Sequence, residues 1–301
     1  MLFSVAVSAR PCRPTCAKTQ WMKGVADFHR FLANEKQATT LGREPPDEPV
    51  LKEEGDPMKA QLTALILGAA VCAMVMGAPS LARAGDESET AELLIALLKS
   101  GRAVVSEHQA LINDASKGNK GFTDEFMAHQ VIDKFKAKTR VDLSRPNGFP
   151  QAAVLLALLE AEREVVLEGQ PVINKQGVAF KGFIPAVFAR KAGEKFYKKT
   201  GIRLKLTGTD YRYPGNKPDD FEAEVLRMFG DSRHPKGQQY AKATMLGGKP
   251  VMRVMDPEYA GPTCLTCHGG PKGERDITGT RKEGWKEGDL AGAISVVVPM
   301  R

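Results

Sequence analysis

The sequence predicts an α+β chain, with helices in the N-terminal half packed on a small antiparallel sheet in the C-terminal half. Three observations predict it. Apolar residues recur at helical spacing between residues 92 and 167. Apolar and charged residues alternate from Ile202 to Leu206. A β-branched run, "AISVVV", nearly ends the chain, downstream of a Gly-Gly turn.

The elements follow in order. Leu94, Leu98, Val105 and Ile112 share one stripe, which predicts an amphipathic helix over Glu92–Asn113 with His108 on the apolar side. "NDASKGNKGFT" is a loop, and Thr123 caps a second, charged helix that runs to about Thr139 and carries His129. "SRPNGFP" is a turn cluster. The next helix, about Gln151–Leu167, is apolar nearly all round in its first half and is therefore buried.

Pro185 opens a helix that reaches Lys199, and Gly201 stops it. Ile202, Leu204 and Leu206 form a half-buried strand. A loop rich in Pro, Gly and Asn then opens a short helix at about Pro218, with acidic residues in its first turn. "QYAKATML" and "KPVMRVM", separated by Gly247-Gly248, predict a hairpin. A loop around Cys264 follows, and a final strand covers about Ala291–Val298.

The chain has 301 residues, a formal charge of +7 and 42% hydrophobic content, which is globular composition. Lysines and arginines are interleaved with acids, so no basic stripe for nucleic acid is present. Nucleotide-binding, nucleophile-elbow and HExxH motifs are absent, and no catalytic residue is expected.

An export signal lies inside the chain. Lys59 supplies a positive n-region, Leu62–Met76 an apolar h-region, and Ala82-Arg83-Ala84 an A-x-A cleavage site. The expected organisation is an extension over 1–57 upstream of a true start at Met58, a signal peptide over 58–84, and one domain over 85–301. That domain has a helical part, 85–170, and a sheet part, 171–301. The alternative is a cytoplasmic tail with residues 60–82 retained as a membrane anchor. Cleavage after Ala84 removes Cys12, Cys16 and Cys72 and leaves only Cys264 and Cys267, in an exported, periplasmic chain.

Cys264-Leu265-Thr266-Cys267-His268 is the C-x-x-C-H pattern of covalent haem attachment. Two thiols three residues apart can each add to a haem vinyl group, and the adjacent histidine then meets the iron as proximal ligand. Competing readings are weaker. A redox C-x-x-C belongs at a strand-to-helix junction, and "TCHGGPKG" is a poor helix start. Zinc needs two further ligands at close spacing. A small disulfide loop with a neighbouring histidine stays open.

The segment "CLTCHGG", the downstream Gly288-Asp289 and Gly292-Ala293, and the upstream Tyr211-Arg212, Pro214, Asn216, Pro218 and Phe221-Glu222 occur in an order that resembles a family. It is the family of exported single-haem c-type domains of PAS-like fold, found also as the sensor half of bacterial histidine kinases. The resemblance covers about Pro185–Met300, and the helical part more loosely. One departure is Tyr213, where the family has Asn before the proline. The resemblance implies a PAS-like sheet cupping one haem c with its iron. The role it implies is electron transfer or redox sensing with a separate redox or signalling partner, and a carrier or sensor rather than a catalyst.

The family also places a distal ligand on the helix before Gly201. Here that helix, "PAVFARKAGEKFYKKT", has no Cys, His or Met. The substitutes are His108, Met252 and Met255, each with a core-packing alternative, or an open site that would make the protein a gas-binding module. Arg212 is the candidate for a haem propionate, against a salt bridge to Asp219 or Glu222. Trp285 either covers a haem edge or packs ordinarily.

Overall fold

The computed structural model describes residues 79–146 and 148–300. The proposed extension and most of the proposed signal peptide, with Cys12, Cys16 and Cys72, lie outside the described residues. The helices are α1 (Pro79–Glu107), α2 (Gln109–Ile112), α3 (Asp124–Thr139), α4 (Ala152–Ile173), α5 (Pro185–Thr200), α6 (Asp220–Phe229) and α7 (Pro262–His268). The strands are β1 (Arg203–Thr207), β2 (Tyr240–Leu246), β3 (Lys249–Tyr259) and β4 (Leu290–Pro299). The architecture is α+β, and the four strands form one antiparallel sheet in the order β1-β4-β3-β2.

Local chemistry explains the boundaries. The Thr123 hydroxyl accepts a bond from the Phe126 amide and caps α3. Gly201, at φ 74°, ends α5, as its position predicts. Gly247 and Gly248, at φ 57° and 78°, form the tight β2–β3 turn, which favours glycine at both positions. Asp219 and Glu222 close a reciprocal capping box on α6.

Three expected boundaries move. The first helix begins at Pro79, so Ala84 lies inside it, and it breaks at His108 before the short α2. The α4 helix passes the expected end and runs through Pro171 to Ile173. Gly169 is what allows the Phe183 ring to lie against it, since a Cβ there would come within 2.7 Å of that ring. The cysteine segment is helical rather than a loop: Pro262 sits at its first turn, where a missing N–H costs nothing.

The sheet has two differently covered faces, because side chains alternate along each strand. Met252 and Val254 of β3, with Ile294, Val296 and Val298 of β4, pack into the main core with α1, α3, α4 and α5. Met255 and Ala293 face the other way, onto Val225, Leu226 and Phe229 of α6. Gly193 brings α5 close to β1, its Cα facing the Leu204 carbonyl where a Cβ would come within 2.2 Å. At the end of β3, Lys99 of α1 reaches Asp256 at 2.6 Å and Glu258 at 2.9 Å, and Arg102 pairs with Glu258. These pairs pin α1 to the strand that leads into α7.

Candidate functional site

The site grows from the excursion between β3 and β4. Its neck is closed by two backbone bonds of 2.8 Å, from Ala260 to the Asp289 carbonyl and from Gly288 to the Ala260 carbonyl. Beyond the neck, α7 carries Cys264, Cys267 and His268. Positions three apart share one face of a helix, so the two cysteines lie on the same side. Both are free and half-buried.

Gly269 turns the chain directly over the last turn of α7, where a Cβ would lie 2.5 Å from the Leu265 carbonyl oxygen. The chain folds back through Gly273–Lys282 and Glu274–Lys282 backbone bonds of 2.8 Å each. Residues 283–285 then lie against the end of α7, where the amides of Gly284 and Trp285 both donate to the His268 carbonyl at 2.9 Å.

This return strap organises the histidine. His268 Nδ1 is 2.7 Å from Glu283 Oε2. The imidazole stacks on the Trp285 ring, 4.4 Å between centroids and 7° between planes. Trp285 Nε1 donates to Asp210 at 3.3 Å. With Nδ1 engaged, Nε2 is the nitrogen left for ligation.

Arg212 ties the strap together. Its Nε and Nη2 donate to Glu283 Oε1 and Oε2 at 2.7 and 2.8 Å, its Nη1 to Asp276 at 2.6 Å, and Nη2 also to the Cys267 carbonyl at 2.8 Å. Burial works against the charged form of Asp276. The Thr278 hydroxyl, Arg212 and the amides of Thr278 and Thr280 outweigh it and hold the carboxyl down to about 2. Burial likewise opposes the Glu283 carboxylate, and Arg212, its own amide and His268 outweigh it, so its pKa is lowered. Burial, followed by the nearby Asp276, pushes the Cys267 thiol up.

The alternative weighed for Arg212, a salt bridge to Asp219 or Glu222, does not form. Those acids are held by Arg253, at 2.8 Å from Asp219, and by Lys205, at 2.8 Å from Glu222. Arg212 is instead a bracket inside the cysteine excursion, and each of its three nitrogens already has a protein acceptor. A carboxylate outside the protein would have to compete with those acceptors.

The three distal candidates sit in packing positions. His108 Nδ1 bonds the Val104 carbonyl at 2.8 Å, and its ring lies 5.4 Å from that of Phe122 and 5.2 Å from that of Phe126. Met252 belongs to the main core and Met255, fully buried, to the core under α6. A cavity of about 230 Å³ between α6 and β2, lined by Phe221, Val225, Met228 and Tyr240, shares no lining residue with α7.

Sequence reasoning missed Glu283. The only signal available was an acid fifteen residues past a histidine, which carries no information without the fold-back. Among the described residues, no three His, Cys, Asp or Glu side chains converge to hold a metal ion by themselves. Two thiols on one helical face, beside a histidine with one free ring nitrogen, fit covalent haem as a donor set.

The Tll0287-like family model matches residues 84–299. The chain belongs to the Tll0287-like family. The match takes in the whole excursion, together with Arg212 and His108. The solved structure of the cyanobacterial heme-protein Tll0287 aligns with 51% of this chain and 98% of that one, at 18% identity and a TM-score of 0.36. No curated protein matches.

Proposed function

We propose that this chain is an exported protein with one covalently bound haem c, working as a periplasmic electron carrier or redox sensor. The observation that carries the reading is the placement of Cys264 and Cys267 on one face of α7, with His268 held by Glu283. The family carries the name of Tll0287, which is described as a heme-protein, and this supports it. The family match begins at residue 84, which agrees with cleavage beside Ala84.

In this reading Cys264 and Cys267 would hold the haem through their sulfur atoms, and His268, its Nδ1 taken by Glu283, would offer Nε2 to the iron. The bound group supplies one-electron chemistry. The protein's part is to fix the ring of His268. The sheet and its helices form a PAS-like support, and electrons or a signal pass to a separate protein.

Export of the chain in a host with haem-attachment machinery tests the reading. A denaturing gel stained for haem and the reduced absorbance spectrum should show a covalent group. It should be absent in a Cys264→Ala, Cys267→Ala double variant. A wild-type chain without the stain refutes the proposal.

The packing positions of His108, Met252 and Met255 favour a second reading, a gas-binding module with an open distal side. A shift of the ferrous spectrum under carbon monoxide supports this second reading, and an unchanged spectrum rejects it.

A further inference from the structure

We infer that Glu283 is the positioning residue for His268, and that Glu283 and Arg212 together set, with opposite signs, how readily the group held by His268 accepts an electron. The inference rests on the proposed function.

Three constraints fix the imidazole. Glu283 Oε2 takes Nδ1 at 2.7 Å, Trp285 lies parallel to one face at 4.4 Å, and the amides of Gly284 and Trp285 hold the His268 carbonyl at 2.9 Å. All three come from one strap, residues 283–285, so moving the strap moves the ring. Gly284, at φ 86°, makes this possible: a Cβ there would lie 2.8 Å from Lys272 Cβ as well as straining the backbone.

The electronic consequence follows from the acceptor. A carboxylate on the outer nitrogen of a ligating histidine raises the electron density of the ring and favours the more positive state of the metal. A backbone carbonyl in the same place does so less, because it carries no full charge. Arg212 works against Glu283. Its Nη2 donates to the same oxygen, Oε2, at 2.8 Å, so its positive charge partly neutralises the carboxylate that faces His268. Asp276, 2.6 Å from Arg212, offsets that guanidinium in turn. Two acids and one base leave the cluster beside His268 negative, which favours the oxidised state.

The test uses the full haem-loaded chain and reads the midpoint potential by spectroelectrochemistry at one pH. Glu283→Gln should shift the oxidised-to-reduced ratio about tenfold toward reduced at a given potential, a rise of about 59 mV for one electron. Arg212→Gln should shift it the other way. Glu283→Asp, which keeps the charge, should give a smaller rise than Glu283→Gln. If Glu283→Gln does not accumulate, the signs of Glu283→Asp and Arg212→Gln decide. Opposite signs in the stated order support the inference. Equal signs, reversed signs or unchanged potentials overturn it, since loosening the strap alone would move both variants alike. Absence of covalent haem from the wild type overturns the proposed function and this inference with it. Haem present with the wrong signs overturns the inference alone.

Discussion

Glu162 offers a sharp test of the helical core. The residue lies on α4 with no solvent exposure, and neither carboxylate oxygen has a hydrogen-bond partner. The carboxyl faces Gly101 of α1, where a Cβ would come within 2.7 Å of Oε1. Burial is the cause that raises its pKa well above 4.5, because an ion there would lose its water and gain nothing in return. Below the unfolded value both states hold the proton and pH has no effect. Above it the unfolded chain ionises while the folded one stays neutral, so stability falls by about 1.4 kcal/mol for each pH unit until the folded group ionises too.

Glu162→Gln keeps the shape and removes the titration. Its stability gain over wild type should therefore be near zero at pH 4 and grow through pH 5, 6 and 7. Urea denaturation followed by circular dichroism at each pH measures the gain. A difference between the two proteins that is the same at every pH would refute the reasoning, for it would mean that Glu162 ionises in the folded state as readily as in the unfolded one.

Three further outcomes follow from the fold. Gly193→Ala places a Cβ 2.2 Å from the Leu204 carbonyl, so α5 must move off β1; an overpacking cost of about 1–3 kcal/mol should appear as a lower melting temperature. Arg253→Met leaves Glu222, 1% exposed at its side chain, with Lys205 as its remaining cationic partner and removes the guanidinium over the Phe221 ring; chemical denaturation should show a loss of about 1.5–3 kcal/mol. Thr123→Ala deletes the α3 cap at a cost of about 1 kcal/mol, while Thr123→Ser should restore most of it in the same assay.

Much of the fold was legible because its signals are local. Thr123, Gly201 and Gly247-Gly248 act within a few residues, through a hydroxyl or a backbone angle, and each sits where the structure uses it. The alternation of Leu204 and Leu206 likewise announces β1. What was not legible depends on distant partners. Gly169 lies past the expected end of the helix at Leu167, and its place inside α4 shows only with Phe183 packed on it. The glycines after His268 read only as loop, and nothing in them announces that residues 283–285 return to the end of α7. Cys264, Cys267 and His268 are visible as a spacing, but Arg212 meets Glu283 across 71 positions, and no local pattern announces that pairing. His108 shows the converse: it lies on the apolar stripe as expected, yet the stripe leads it to two phenylalanines.

The two bonds that join Ala260 to Gly288 and Asp289 have a consequence for how such proteins can diverge. They place the exit from β3 and the entry to β4 side by side, on strands already paired along their length. Residues between those points can be lengthened, shortened or exchanged while the register of the sheet stays as it is, because loop closure depends only weakly on length. The sheet thus serves as a socket, and the cysteine-bearing segment as a cartridge seated in it. Relatives could exchange the chemistry of the cartridge without relearning how to fold.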